Sequence, residues 1–381
     1  MKRALIFIDW YLPGFKAGGQ IPSVANLIRL LKNDIDFSII TSDRDLGDNK
    51  PYEGIELDKW IITYGVRIKY ISRKAQTCKT FRNIISEEDP DIIYFNSFFS
   101  FYYTIVPLYY AKRIRPDAKI ILAPRGMLAE EALKIKSLKK RFFIQLIKIT
   151  GLYNNLLWHA STDLEMKEIK AVLGENAKVK SASDLSFSLD IISKSDIIKK
   201  NGEATFFYLS RITEKKNLLG AIKMLDKINL GEVIFNIIGP IENQDYWAKC
   251  QDSINSLNSN ITVNYREAIP NYRIKEELET YHFLLFPTFN ENYGHVIAES
   301  LALGKPVIIS DNTPWKNLES KKAGWDIPLK SEAKFSDAIN YCIKMSQEDY
   351  DLWSSSSVKY VMKRIMSPRI IEDNRSLFLD Q

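Results

Sequence analysis

The chain has 381 residues, 45% of them hydrophobic and 26% charged, which exceeds one usual hydrophobic core, predicts two domains and excludes extensive disorder. Its 53 basic and 47 acidic residues leave a formal charge of +6, a mild excess that suits an anionic ligand or a membrane surface and does not call for nucleic acid. Three cysteines (Cys78, Cys250, Cys342) and three histidines (His159, His282, His295) stand far apart in the chain, a spacing that predicts reduced thiols and no His-rich metal site.

Residues 1–9 run directly into a strand pattern without the charged, apolar and cleavage regions of a signal peptide, so none is expected. Apolar runs at Ala4–Ile8, Phe37–Thr41, Val66–Ile71, Ile92–Phe95 and Lys119–Ala123 alternate with helix-like segments. That alternation predicts a parallel sheet covered on both faces. The longest apolar stretch, Phe98–Ala111, holds about 14 residues, short of the ~20 needed to span a bilayer. It is rich in Phe and Tyr and reads either as core or as a cover for a lipid-like acceptor. Lys134–Lys148 sets Lys134, Lys136, Lys139, Lys140, Arg141 and Lys148 among Ile135, Leu138, Phe142, Phe143, Leu146 and Ile147. It reads either as a solvated basic face or as a helix lying on anionic lipid.

Leu157–Ala160 closes this half, and the polar Ser181–Asn201 reads as a linker. A second series follows at Thr205–Leu209, Val233–Ile238, Ile261–Val263, Phe283–Phe286 and Pro306–Ile309. The fold class is therefore α/β, with two doubly wound Rossmann-like domains at 1–195 and 196–365 and a C-terminal segment, 366–381, expected to pack back on the first. Open parallel sheets bind ligands beyond the carboxyl ends of their strands, so the two are expected to face each other across a cleft.

The residues just after strands carry the chemistry. In Ser210-Arg-Ile-Thr-Glu-Lys-Lys-Asn217, Arg211 offers a planar fork and Lys216 a point charge ahead of a helix starting near Leu218. Together they suit a diphosphate, the alternative being solvated loop cations. Ala17-Gly18-Gly19 follows the first strand, where glycines permit positive φ and close approach to phosphate or sugar; a plain flexible turn is the alternative. Neither a dinucleotide fingerprint nor a P-loop is present. After the strand Phe283–Phe286, the loop Pro287–Tyr293 leads into a helix beginning at Gly294, and Glu291 and Glu299 stand eight positions apart across that junction. First-turn N–H groups of Asn292, Tyr293, Gly294, His295 and Val296 suit an anion. The two acids suit sugar hydroxyls, or else form an acidic loop and a surface helix position.

Taken together, the Glu291/Glu299 pair, Arg211/Lys216 in Ser-Arg-Ile-x3-Lys, the Ala17-Gly18-Gly19 loop, Gly304-Lys-Pro-Val-Ile-Ile-Ser-Asp311 and Thr313-Pro-Trp315 resemble the family-4 retaining glycosyltransferases of the GT-B fold, in particular bacterial members that build surface polysaccharide such as lipopolysaccharide. The resemblance implies an N-terminal acceptor-binding domain and a C-terminal nucleotide-sugar-binding domain. Arg211 and Lys216 would bind the donor diphosphate, Glu291 the hydroxyls of the transferred sugar and Glu299 the ribose. Gly18 and Gly19 would let the first domain approach the donor. Where many relatives place a histidine near the donor sugar, this chain has Pro124-Arg-Gly-Met127, and Arg125 is expected to replace it at sugar or acceptor phosphate. The implied activity is metal-independent and cofactor-free transfer from a UDP-, GDP- or other NDP-sugar to a polysaccharide or lipid-linked acceptor, in the cytoplasm or peripherally at the cytoplasmic membrane face. The rival readings are a nucleotide-sugar epimerase or hydrolase of the same fold and a non-catalytic sugar-binding protein.

Overall fold

The computed structural model describes residues 1–134, 137–184, 197–270, 273–365 and 367–380. The chain divides into two compact units, Met1–Leu185 with Pro368–Gln381, and Ser186–Ser367. The boundary expected at residue 195 lies outside the described residues.

Unit 1 contains the strands β1 (Lys2–Phe7), β2 (Ile35–Ser42), β3 (Trp60–Thr63), β4 (Val66–Ile71), β5 (Ile92–Phe95), β6 (Lys119–Leu122), β7 (Leu157–Ala160) and β8 (Lys178–Ser181). They form one sheet in the order β3-β4-β2-β1-β5-β6-β7-β8, parallel except for the β3–β4 hairpin. Along β1 the side chains alternate between two cores. Leu5 and Phe7 join Ile40, Ile93 and Phe95 on one face, while Ala4 and Ile6 join Ile39, Ile68 and Tyr94 on the other. Burial on both faces is why this strand reads as an unbroken apolar run. The helix Pro368–Leu379 covers the second face. Phe378 lies 5.8 Å from the Phe37 ring and 5.5 Å from that of Tyr94, and Lys180 Nζ donates to Ser376 O at 2.9 Å.

Unit 2 contains β9 (Glu203–Leu209), β10 (Glu232–Ile238), β11 (Ile261–Arg266), β12 (Phe283–Phe286), β13 (Val307–Ser310) and β14 (Gly324–Ile327). Their order, β11-β10-β9-β12-β13-β14, is the doubly wound Rossmann arrangement, with the reversal between β9 and β12. Every recorded pairing in this sheet is parallel. In each unit the chain order reverses beside the first strand: β1 lies between β2 and β5, and β9 between β10 and β12. A crevice opens at such a point because the two flanking connections leave toward opposite faces.

Three strands lie outside the predicted runs. β3 is an edge hairpin strand whose Ile62 is exposed, and β8 is a lysine-rich edge. Neither edge is covered on both faces, so neither needs a long apolar run. β14 begins at Gly324, where φ is +144° and a Cβ would meet Val307 O at 2.1 Å, so this residue serves the close approach of two strands rather than packing.

Candidate active site

The crevice of unit 2 is built by the connections after β9 and β12. After β9 the chain passes so close to β10 that Gly239, at φ +146°, would place a Cβ 1.9 Å from Ser210 O. Ile212 then bridges to Ile241. The single 3-10 turn Glu214–Lys216 ends on Asn217, which adopts a left-handed φ of +56°. That turn is stitched to the loop after β12. Asn217 Nδ2 donates to Pro287 O at 2.7 Å, and the Phe289 N–H donates to Lys215 O at 3.1 Å.

The stitching brings Lys216 and Glu291 together. Lys216 Nζ lies 2.5 Å from Glu291 Oε1, with side chains only 16% and 10% exposed, and 5.7 Å from the centre of the Phe286 ring. The Thr288 hydroxyl is 3.3 Å from the same carboxylate oxygen, and the Glu291 N–H donates to Asn312 O at 3.1 Å. Arg211 is turned the other way: its Nη1 donates to Glu242 Oε1 at 2.6 Å, and this pair is more open, at 38% and 33%. The two predicted phosphate ligands thus pair with residues following β12 and β10 respectively, the two neighbours of β9.

The loop then turns at Gly294, whose φ is +80°, and a Cβ there would press on Ile297 at 2.9 Å. Trp315, fully buried, fixes the turn by donating its Nε1–H to Tyr293 O at 2.6 Å. The Tyr293 ring stands 5.5 Å from that indole and 5.0 Å from His295. The helix runs His295–Ala302, so the N–H groups of His295 and Val296 fall in its first turn, which lacks intrahelical acceptors. Asn292 lies in the same loop. Glu299 sits one turn further on, buried between Ala298 and Ser300. Burial pushes its carboxyl up to about 8, so the resting acid is largely protonated at neutral pH.

In unit 1, Gly18 has φ +78°, whereas Gly19 is an ordinary right-handed N-cap at φ −57°. Only the first glycine uses the conformational freedom that both were assigned. Arg125, expected at sugar or acceptor phosphate, is engaged by groups of its own unit. Its guanidinium is turned into unit 1, where Nε donates to Asn96 Oδ1 at 2.6 Å and Nη2 to the Tyr94 hydroxyl at 2.8 Å, while Nη1 pairs with Asp184. Its backbone is left-handed, at φ +55°. Burial lowers His159 to about 4. Its Nε2 faces Ala182 O at 2.8 Å, so Nε2 carries the proton and Nδ1 accepts from Tyr94 at 2.8 Å.

Sequence reasoning missed Asn217, Thr288 and Glu242. Thr288 alone carries a signal, a hydroxyl immediately past a buried apolar strand; the other two are chosen by packing between loops distant in sequence. Of the basic segment, residues 135–136 lie outside the described residues. The helix Ser137–Thr150 turns Leu138 (82% exposed), Phe142 (71%) and Ile149 (83%) to solvent. In the Phe/Tyr stretch, Phe98 and Tyr103 are core, while Phe101 and Tyr109 are exposed. Among the described residues no helix is long and apolar enough to cross a membrane, and no group of three or more His, Cys, Asp or Glu could hold a metal ion.

Two successive doubly wound α/β units have the GT-B fold. Residues 191–357 match the family model described as glycosyl transferases group 1. The fold is shared with sucrose-phosphate synthase from Thermosynechococcus elongatus, at 13% identity and TM-score 0.72 over 99% of this chain and 98% of that one. It is shared likewise with Anabaena Alr3699/HepE in complex with UDP-glucose, at 15% identity and TM-score 0.71 over 99% and 98%. WaaG, a glycosyltransferase involved in lipopolysaccharide biosynthesis, aligns at 13% identity and TM-score 0.68 over the whole of both chains. A comparison with curated proteins finds no match.

Proposed function

We propose that the protein transfers a sugar, with retention, from a nucleoside diphosphate to a polysaccharide or lipid-linked acceptor at the cytoplasmic membrane face, without a metal ion. The observation that carries this reading is the enclosed Lys216–Glu291 pair at the reversal between β9 and β12. An ammonium has three donors, so Lys216 can keep Glu291 and still meet a phosphate oxygen. Glu291 is thereby placed with a cation beside an anionic ligand, where it can accept from hydroxyls of the transferred sugar and face the positive charge that develops at its anomeric carbon. Arg211 exchanges its exposed partner Glu242 for the diphosphate at little cost, because half-exposed ion pairs contribute at most about 1 kcal/mol. The N–H groups around His295 and Val296 supply further anion contacts, and Glu299 takes the ribose. On this reading cations and helix dipole stabilise the departing diphosphate, which takes the acceptor's proton on the same face of the sugar.

A UDP-sugar donor is supported by the UDP-glucose complex of the HepE structure, and a glycan acceptor by the lipopolysaccharide role printed for WaaG. Membrane association is supported by the helix Ser137–Thr150. Its exposed Leu138, Phe142 and Ile149 stand among Lys139, Lys140, Arg141 and Lys148, a composition that suits anionic lipid. The test is transfer assayed with and without EDTA in Glu291→Ala and Lys216→Ala. Loss of transfer in both variants, with unchanged circular dichroism and insensitivity of the wild type to EDTA, is expected. Full activity in either variant defeats the assigned roles.

A further inference from the structure

The reversal point of unit 2 holds a hydroxyl with more acceptors than it can serve. Thr288 is fully buried, and its Oγ1 lies 3.3 Å from Lys215 O, 3.2 Å from Asn290 O and 3.3 Å from Glu291 Oε1. A hydroxyl has one proton to give, so these oxygens compete for it. Lys215 O also receives the Phe289 N–H at 3.1 Å, and Glu291 Oε1 receives Lys216 Nζ at 2.5 Å. Either oxygen can release the hydroxyl at small cost while its other donor stays.

The loop keeps Thr288 and Glu291 together and leaves Lys216 apart. Ser310 Oγ donates to Thr288 O at 2.5 Å, and the Glu291 N–H donates to Asn312 O at 3.1 Å. Both residues are thus fastened to the connection after β13, whereas Lys216 arrives on the connection after β9. The two side-chain partners recorded for Glu291 meet Oε1, which leaves Oε2 for a ligand hydroxyl. A ligand anion that drew Lys216 from Oε1 would strip an enclosed carboxylate of its strongest donor, a costly state unless another donor takes over. Thr288 holds the hydroxyl within reach.

We infer that Thr288 is a positioning residue for Glu291. When the donor diphosphate takes up Lys216, the Thr288 hydroxyl turns from the loop carbonyls to Oε1. The carboxylate then keeps its orientation, with Oε1 inward and Oε2 toward the transferred sugar. The sugar-facing role rests on the glycosyl-transfer reading of Glu291; the sharing of Oε1 between Thr288 and Lys216 is argued from unit 2 alone.

Two measurements on the full chain test it. The first needs no ligand: urea unfolding of the wild type, Thr288→Val, Lys216→Met and the double variant. The hydroxyl should matter more once Lys216 is gone, so the drop in urea midpoint caused by Thr288→Val should roughly double, or more, in the Lys216→Met background. Equal drops in the two backgrounds overturn the inference. The second is isothermal titration with UDP and with UDP-glucose. Thr288→Val keeps the shape and removes the hydroxyl, and should lower the affinity for UDP-glucose relative to UDP by about tenfold or more. Thr288→Ser, which keeps the hydroxyl, should hold that ratio within about twofold of wild type. An unchanged ratio in the valine variant overturns the inference, and so does a loss that serine fails to restore. If the wild type binds neither nucleotide while the urea midpoints are coupled, the UDP-donor reading falls and Thr288 keeps its role at Glu291.

Discussion

Glu299 makes a quantitative prediction, because a buried neutral acid is a poor resting state for a group that is to receive two ribose hydroxyls. Its folded pKa of about 8 lies above the ordinary value of 4.5. At about 1.4 kcal/mol per unit, ionising it in the empty site costs roughly 4–5 kcal/mol more than in water. Two hydrogen bonds to a charged acceptor return about 1.5–3 kcal/mol each, a comparable sum. Bound ribose should therefore bring the carboxyl back below 7. At pH 7 a group with a pKa near 8 is about nine-tenths protonated, so binding should expel close to one proton.

The perturbation is Glu299→Gln, and the assay is isothermal titration at pH 7 in buffers of different ionisation enthalpy. The ligand is whichever of UDP, GDP, ADP and dTDP gives the largest thermal shift. Protons released by the wild type should exceed those of the variant by about 0.8, the comparison cancelling titration of the nucleotide's own phosphate. Equal release from both proteins refutes the assignment of Glu299 to the ribose. The same shift has a stability counterpart. The folded pKa is raised, so the favourable term is complete below pH 4.5 and is lost as pH rises through 8. Urea unfolding should show wild-type stability falling across that window and a flatter profile in Glu299→Gln.

Gly239→Ala should destabilise unit 2 by about 2–4 kcal/mol, since strained φ and a backbone collision act together; urea denaturation measures it, and donor affinity should fall too because Ser210 and Arg211 are displaced. Replacing Asn217 by Ala should lower kcat by roughly 10-fold with intact secondary structure, because it frees the Lys216 turn from Pro287; steady-state kinetics decide. Leu138→Ser with Phe142→Ser and Ile149→Ser should abolish sedimentation with vesicles containing phosphatidylglycerol while leaving transfer to a soluble acceptor intact. His159, held near 4 by burial, should lose stability for the fold as pH falls from 6.5 through 4, visible as an acid-side slope that His159→Gln reduces.

Legibility in the sequence followed burial. Most of the predicted apolar runs lie on covered parallel strands, where nearly every side chain is apolar and the signal is continuous; Ile261–Val263, on the edge strand β11, is the exception. β3 and β8 escape because an edge strand needs no such run, and β14 because Gly324 serves strand contact. Within the site, residues whose chemistry is local were visible: Glu291 and Glu299 flank one helix start, and Lys216 ends one loop. The partners that fix them were not. Asn217 reaches Pro287 across 70 positions, and Glu242 meets Arg211 across 31, contacts that exist only once the sheet order is known.

Arg125 is a residue whose chemical type suggests a ligand and whose guanidinium is engaged within unit 1. Five donors in a rigid plane suit phosphate, but they suit equally well the ends of strands that must be tied together. Asn96, Tyr94 and Asp184 surround the guanidinium, and a ligand would have to compete with all three. Lys216 differs because its carboxylate partner is held beside it and can share the ammonium with a ligand. What separates a binding cation from a structural one here is whether a ligand adds to its pairing or must break it.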